Sequence, residues 1–192
     1  ALDYYKRSLA IQEELGDKRG MGFSLNNIGI VYHNKGDLDT ALDYFKRSLA
    51  IAEELGDKYS MGYSLIGIGG VHVDKGEYEK AEDYLEKSLS IRVEIGVGAD
   101  ALLCSTTYLY LTYKHLSKDY DVNKIYTLIK EDKNIEYELN LRLYELLENT
   151  SYLQTAYNQV QDKANNLEPD LVAKFLELKI PKAIVEEWEK VK

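Results

Sequence analysis

Residues Gly67–Gly76 read GIGGVHVDKG, a glycine-rich run ending next to a lysine. Such a run cradles phosphate when it follows a strand and opens a helix, because its backbone N–H groups are then free to meet an anion. Here the repeat register described below places Gly67, Gly69 and Gly70 in mid-helix, where those groups are already bonded, so nucleotide binding does not follow. Three histidines, His33, His72 and His115, raise the question of a metal. Its ligands would have to lie about 2 Å from one ion, whereas packed helices stand roughly 10 Å apart. The three also occupy non-equivalent repeat positions, so they read as structural or surface residues, and no metal or cofactor is expected. Cys104 is the sole cysteine; it excludes an internal disulfide, has no neighbours that would activate a thiolate and reads as a packing residue. Carboxylates fall at helix starts and in outward pairs such as Glu13–Glu14 and Glu53–Glu54. No pair is isolated in an apolar setting, so general acid–base catalysis has no candidates. The chain is not expected to be an enzyme.

The elements that carry these residues recur with a fixed period. EELGDK occurs at Glu13–Lys18 and again at Glu53–Lys58, inside longer copies that start at Ala1 and Ala41. A worn third copy starts at Ala81, and a period of about 40 residues belongs to stacked structural repeats. Within one copy, Ala41, Phe45, Ser48, Leu49, Ala52 and Leu55 form one stripe of an amphipathic helix, and Met21, Leu25, Ile28, Gly29 and Tyr32 form another. Gly16 and Gly56 fall just past a helix, where a left-handed conformation closes the last turn. Asp17 and Asp57 follow, placed to cap the next helix. Gly36 and Gly76 mark the other corner. The duplicated six residues are therefore a corner piece of a duplicated helix pair. Beyond residue 97 the pattern decays into two divergent pairs, and two short helices opened by Pro169 and Pro181 end the chain. No strand pattern is found. The reading is all α: a half repeat at 1–16, full repeats near 17–56 and 57–96, divergent repeats near 97–133 and 134–166, and a cap at 167–192.

Composition narrows the class. The chain has 192 residues, 45% hydrophobic and 30% charged, which suits a folded domain and not a disordered one. A net charge of −9 disfavours a nucleic-acid partner. No apolar run approaches a membrane span. The sequence opens inside a repeat without an initiator Met, so a longer parent chain is expected. Helix 1 then lacks an upstream partner over Ala1, Tyr5, Ser8 and Leu9, and weak self-association through this N-terminal face is expected. One cysteine fits a reducing compartment, hence a cytoplasmic location.

Leu25, Ile28, Gly29 and Tyr32, then Gly36, then Ala41, Phe45 and Ser48 resemble the tetratricopeptide repeat, with its large–Leu–Gly–Tyr first helix and Ala–aromatic–Ala second helix. The next copy offers Leu65, Ile68, Gly69, His72, Gly76, Ala81, Leu85 and Ser88, departing at His72 and Leu85. The period resembles the longer-helix branch of kinesin light chains, Pins-type adaptors and prokaryotic arrays. The resemblance implies a right-handed superhelix of antiparallel helix pairs that works as a scaffold, binding a peptide or protein segment on a concave face. That face would carry Phe23, Asn26, Asn27, Ile30, His33 and Asn34, then Tyr63, Ile66, Gly67, Gly70, Val73 and Asp74. A third helix would add Cys104, Thr107, Leu111 and Lys114. Gly69 is the packing glycine of the resemblance; Gly67 and Gly70 have no such reason, and either the repeat constraint is loosened there or they admit the close approach of a bound main chain. Lysines that would grip a C-terminal carboxylate are absent from the first two helices. Two other functions stay open: a regulatory array in a larger signalling protein whose catalytic domain lies elsewhere, and a self-assembling array.

Overall fold

The computed structural model describes residues 2–132 and 134–192. The expectations placed on Ala1, and on the repeat boundary at 133, lie outside the described residues. Eleven helices make up what is described: α1 Leu2–Leu15, α2 Lys18–Asn34, α3 Leu38–Leu55, α4 Lys58–Asp74, α5 Tyr78–Glu94, α6 Ala99–His115, α7 Val122–Glu131, α8 Tyr137–Leu147, α9 Thr150–Asn165, α10 Pro169–Leu176 and α11 Lys179–Val191. Among the described residues there is no strand.

The corners form as their residue types require. Gly16 and Gly56 take φ of +68° and +62°, closing α1 and α3. The carboxylates that follow cap the next helices: Asp17 accepts from the Gly20 N–H at 3.0 Å and Asp57 from the Ser60 N–H at 3.1 Å. Each satisfies a donor that the first turn cannot. Copies of the corner are tied across the array by ion pairs of equal spacing, Lys18 to Glu54 and Lys58 to Glu94.

Consecutive helices pack in pairs, and α2, α4, α6 and α8 also touch in succession along one face. The seams are filled by repeat positions. Ser48 donates to the Gly22 carbonyl and Ser88 to the Gly62 carbonyl, both at 2.8 Å. Tyr32 stacks on Tyr44 at 5.6 Å between centroids, and His72 stacks on Tyr84 at the same separation, so this histidine stands in for the tyrosine of the preceding copy. Its Nδ1 lies 2.6 Å from the Glu77 carboxylate. Ala41 is fully buried at the α3 crossing. Ala41→Leu should overpack it and cost about 1–3 kcal/mol, read as a lower urea midpoint with an unchanged slope.

Two sequence expectations change. Leu9 is buried against Leu25 and Ile28, with Tyr5 packed beside it, so these residues are covered by α2. The apolar side chains that α1 exposes are Tyr4, Ile11 and Leu15. Gly67, for which the repeat pattern offered no packing reason, has one: a Cβ there would stand 2.7 Å from the Phe45 ring.

The last four helices have a core of their own. Leu141, Leu153, Ala156, Val160, Phe175, Ile180 and Ile184 pack together from α8, α9, α10 and α11. This unit joins the array where α8 lies against α6, and Leu143 and Leu146 enter the core around Leu103, Leu109 and Leu111.

A candidate protein-interaction groove

The faces of α2 and α4 that point away from their own pairs line a groove of about 710 Å³. Its wall is apolar and exposed: Phe23, Ile30, Tyr59 and Tyr63 are all at least 38% accessible. Tyr59 and Tyr63 share a hydroxyl–hydroxyl hydrogen bond of 3.1 Å, and their ring centroids are 4.9 Å apart. That bond, with partial burial, pushes the Tyr63 phenol up to about 12, so it stays neutral near pH 7. Beneath Tyr63 lies the Arg92 guanidinium, 4.5 Å from the ring centroid, donating to the Ala101 carbonyl at 2.8 Å. The cation holds the ring in place from behind.

The two asparagines differ. Asn27 turns its amide back to the Phe23 carbonyl at 2.9 Å. Asn26 has its Oδ1 buried without a partner. An acceptor in that state is costly unless a donor arrives.

Asn26, Ile30 and Tyr63 also border a smaller continuation of about 190 Å³, which reaches His33, Asn34, Ile66, Gly70, Tyr108 and Glu138. Here the groove closes. Tyr108 of α6 lies over Gly70, where a Cβ would meet its ring at 3.5 Å, and its hydroxyl donates to Glu138 at 3.0 Å. The space beside Gly70 is thus occupied by the chain's own tyrosine, at ordinary contact distance. Gly70→Leu, which the sequence alone would offer as a clean test of ligand contact, would collide with Tyr108. Gly70 and Val73 are buried, as are Thr107 and Leu111 under α8. Thr107 spends its hydroxyl on the Leu103 carbonyl. Burial pushes the Cys104 thiol up to about 12, so it is an inert packing group. Lys114 is spent on α8, donating to the Glu145 carbonyl at 2.8 Å and to the Glu148 carboxylate at 2.7 Å.

Asp74 lies at the end of α4 with its side chain 4% accessible, and three basic groups converge on it. His33 Nε2 is 2.7 Å away, Arg142 of α8 donates at 2.6 Å, and Lys179 at the start of α11 donates at 2.5 Å. Arg142 is also held by Glu145. Burial by itself would raise the Asp74 carboxyl, but the His33 hydrogen bond and the Arg142 charge hold it well below the usual carboxylate range.

Of the positions expected on the concave face, the fold thus brings Phe23, Asn26, Asn27, Ile30 and Tyr63 to the open groove. Ile66, Gly67, His33 and Asn34 lie at its narrowing. Gly70, Val73, Asp74, Thr107, Leu111 and Lys114 are covered or engaged. Sequence reasoning missed Tyr59, Arg92 and Tyr108. Arg92 had a signal, because a bulky cation stands there where the preceding copy has Ala52.

A profile described as tetratricopeptide repeat matches residues 1–54 and again 21–94. Residues 1–94 therefore belong to the tetratricopeptide repeat family. Arrays of this family are in general protein-interaction modules and typically non-catalytic scaffolds. Among solved structures, a Podosopora anserina protein assigned as a kinesin light chain, with nearly identical TPR-like repeats, is similar. It shares 16% identity at a TM-score of 0.53, over 98% of this chain and 87% of that one. A single-substitution form of the same protein gives the same values. At that identity the likeness is one of fold. No curated protein matches the chain. Among the described residues, this tetratricopeptide array has no helix long and apolar enough to cross a membrane.

Proposed function

We propose that the chain is a scaffold that takes a short extended segment of a partner protein in the groove between α2 and α4. In this reading residues 1–166 act as the array and 167–192 cap it. The observation that carries the proposal is the apolar wall of Phe23, Ile30, Tyr59 and Tyr63 set around the unpartnered Asn26 Oδ1. The wall would bury an apolar side chain of the partner, worth about 1.5–3 kcal/mol for a leucine-sized group. A turn of the Asn26 amide toward the groove would let its oxygen accept one main-chain N–H, and both gains coincide only for an extended segment with an apolar anchor.

A displayed library of seven-residue peptides, panned on the full chain, tests this. Selected peptides should carry an apolar anchor and lose at least about tenfold in affinity on Tyr63→Ala, equal to about 1.4 kcal/mol. Ile30→Asp, which places an uncompensated charge in the wall, should abolish binding while leaving the circular dichroism spectrum unchanged. Peptides that bind both variants as they bind the parent would place the site elsewhere and sink the proposal.

A further inference from the structure

One carboxylate, Glu138, stands on the lining of the groove's narrowing, and neither lysine nor arginine does. His33, the basic residue that lies there, turns its Nε2 to Asp74 at 2.7 Å. Glu138 sits in the first turn of α8. The positive end of that helix favours a carboxylate in this turn, but it does not explain why the side chain reaches α6 and the cavity. Half-buried there, Glu138 accepts from the Tyr108 hydroxyl at Oε1, 3.0 Å away, and its Oε2 accepts from no group among the described residues. Arg142, one turn further along α8, is spaced to neutralise it. That cation is instead turned to Asp74 and Glu145. Among the described residues Glu138 therefore has no ion-pair partner.

The cavity around this carboxylate has apolar walls in Ile30, Tyr63, Ile66 and the Tyr108 ring, while Gly67 and Gly70 add no side chain. It measures about 190 Å³ beside the 710 Å³ of the open groove, so it takes a side chain where the groove takes a segment. The two share Asn26, Ile30 and Tyr63, so a segment seated in the groove has the narrowing directly beside it. An aliphatic stem would be covered by those walls while its charged head stays at the polar end. With Oε1 taken by the tyrosine, a single oxygen is left. That suits the point charge of an ammonium rather than the paired donors of a guanidinium.

We propose that the narrowing is a lysine subsite, in which the partner's ammonium pairs with Glu138. The inference rests on the groove reading for the source of the lysine, but the cavity and its carboxylate can be tested apart from it. It fixes the partner chemistry as an apolar anchor in the open groove with a lysine beside it.

Glu138→Gln keeps an oxygen for the Tyr108 hydroxyl and removes the charge. Peptides panned on the full parent chain should carry lysine beside the apolar anchor, and at low salt should bind Glu138→Gln about tenfold more weakly. Replacing that lysine by norleucine should cost the parent the same factor, a readout that needs no change in the protein. The same replacement should cost Glu138→Gln nothing, because the pair is already broken there. Anchored peptides with no preference for lysine, or with equal affinity for parent and variant, would overturn the subsite and leave the groove standing. If the library binds neither protein, the groove reading fails, and n-butylammonium, the lysine side chain alone, decides the subsite. In the parent it should shift the Gly67, Gly70 and Glu138 amide resonances saturably, and Glu138→Gln should lose that response. Equal shifts in both proteins, or none, would overturn the subsite.

Discussion

Phe45→Ala should lower the unfolding free energy by about 3–5 kcal/mol, the usual cost of deleting a buried aromatic ring. Phe45 is 1% accessible, and its ring is wedged between two helices that are both cut back to glycine. A Cβ at Gly29 would approach the ring to 2.8 Å, and one at Gly67 to 2.7 Å. The next repeat follows the same rule with a smaller knob, since a Cβ at Gly69 would stand 2.6 Å from Leu85. Each glycine weakens its helix by about 1 kcal/mol relative to alanine, and the knob it admits more than offsets that. The sign of a second substitution therefore depends on the first. Gly67→Ala should cost about 1–3 kcal/mol in the parent by overpacking, yet stabilise the Phe45→Ala protein by up to about 1 kcal/mol. Urea unfolding of the four proteins closes the cycle. Additive effects would mean that Phe45 and Gly67 do not share this space.

That pairing shows how far the sequence could be read. Helix pairs, corners and caps were legible because they repeat: Gly16 and Gly56, and Asp17 and Asp57, each appear at one spacing with one physical role. Gly69 was legible for the same reason. Gly67 was not, because its reason lies in Phe45 of the preceding helix pair, a contact that a pattern within one helix cannot contain. The open groove was legible in part. Phe23, Asn26, Ile30 and Tyr63 sit where the α2 and α4 register puts them. The register failed at α6 because Tyr108 replaces the small residue that Gly67 supplies one helix earlier, and α8 then covers Thr107 and Leu111. Arg142 and Lys179 were beyond reach, since no period connects them to Asp74.

That carboxylate gives the second large effect. Asp74→Ala should cost about 3–5 kcal/mol, as removal of one partner from a buried ion pair does. The charge left behind decides the size: Arg142 keeps Glu145, but Lys179 and the His33 ring lose their acceptor. Lys179→Ala should be far milder, about 1 kcal/mol, because the deleted ammonium is part-exposed and Asp74 keeps Arg142 and His33. The pH dependence has a definite sign. The Asp74 carboxyl is held below its ordinary range in the folded chain, so its contribution is complete above the unfolded value of about 3.9 and is lost as the pH falls through the folded one. The groups that face it are His33, Arg142 and Lys179, with Glu145 behind Arg142. Arg142 and Lys179 stay charged through this range, so the acid limb belongs to the carboxylates. The stability gap between parent and Asp74→Ala should hence narrow below about pH 4. A gap that widened in acid would mean that Asp74 is bound in its neutral form, with the three basic groups serving some other partner.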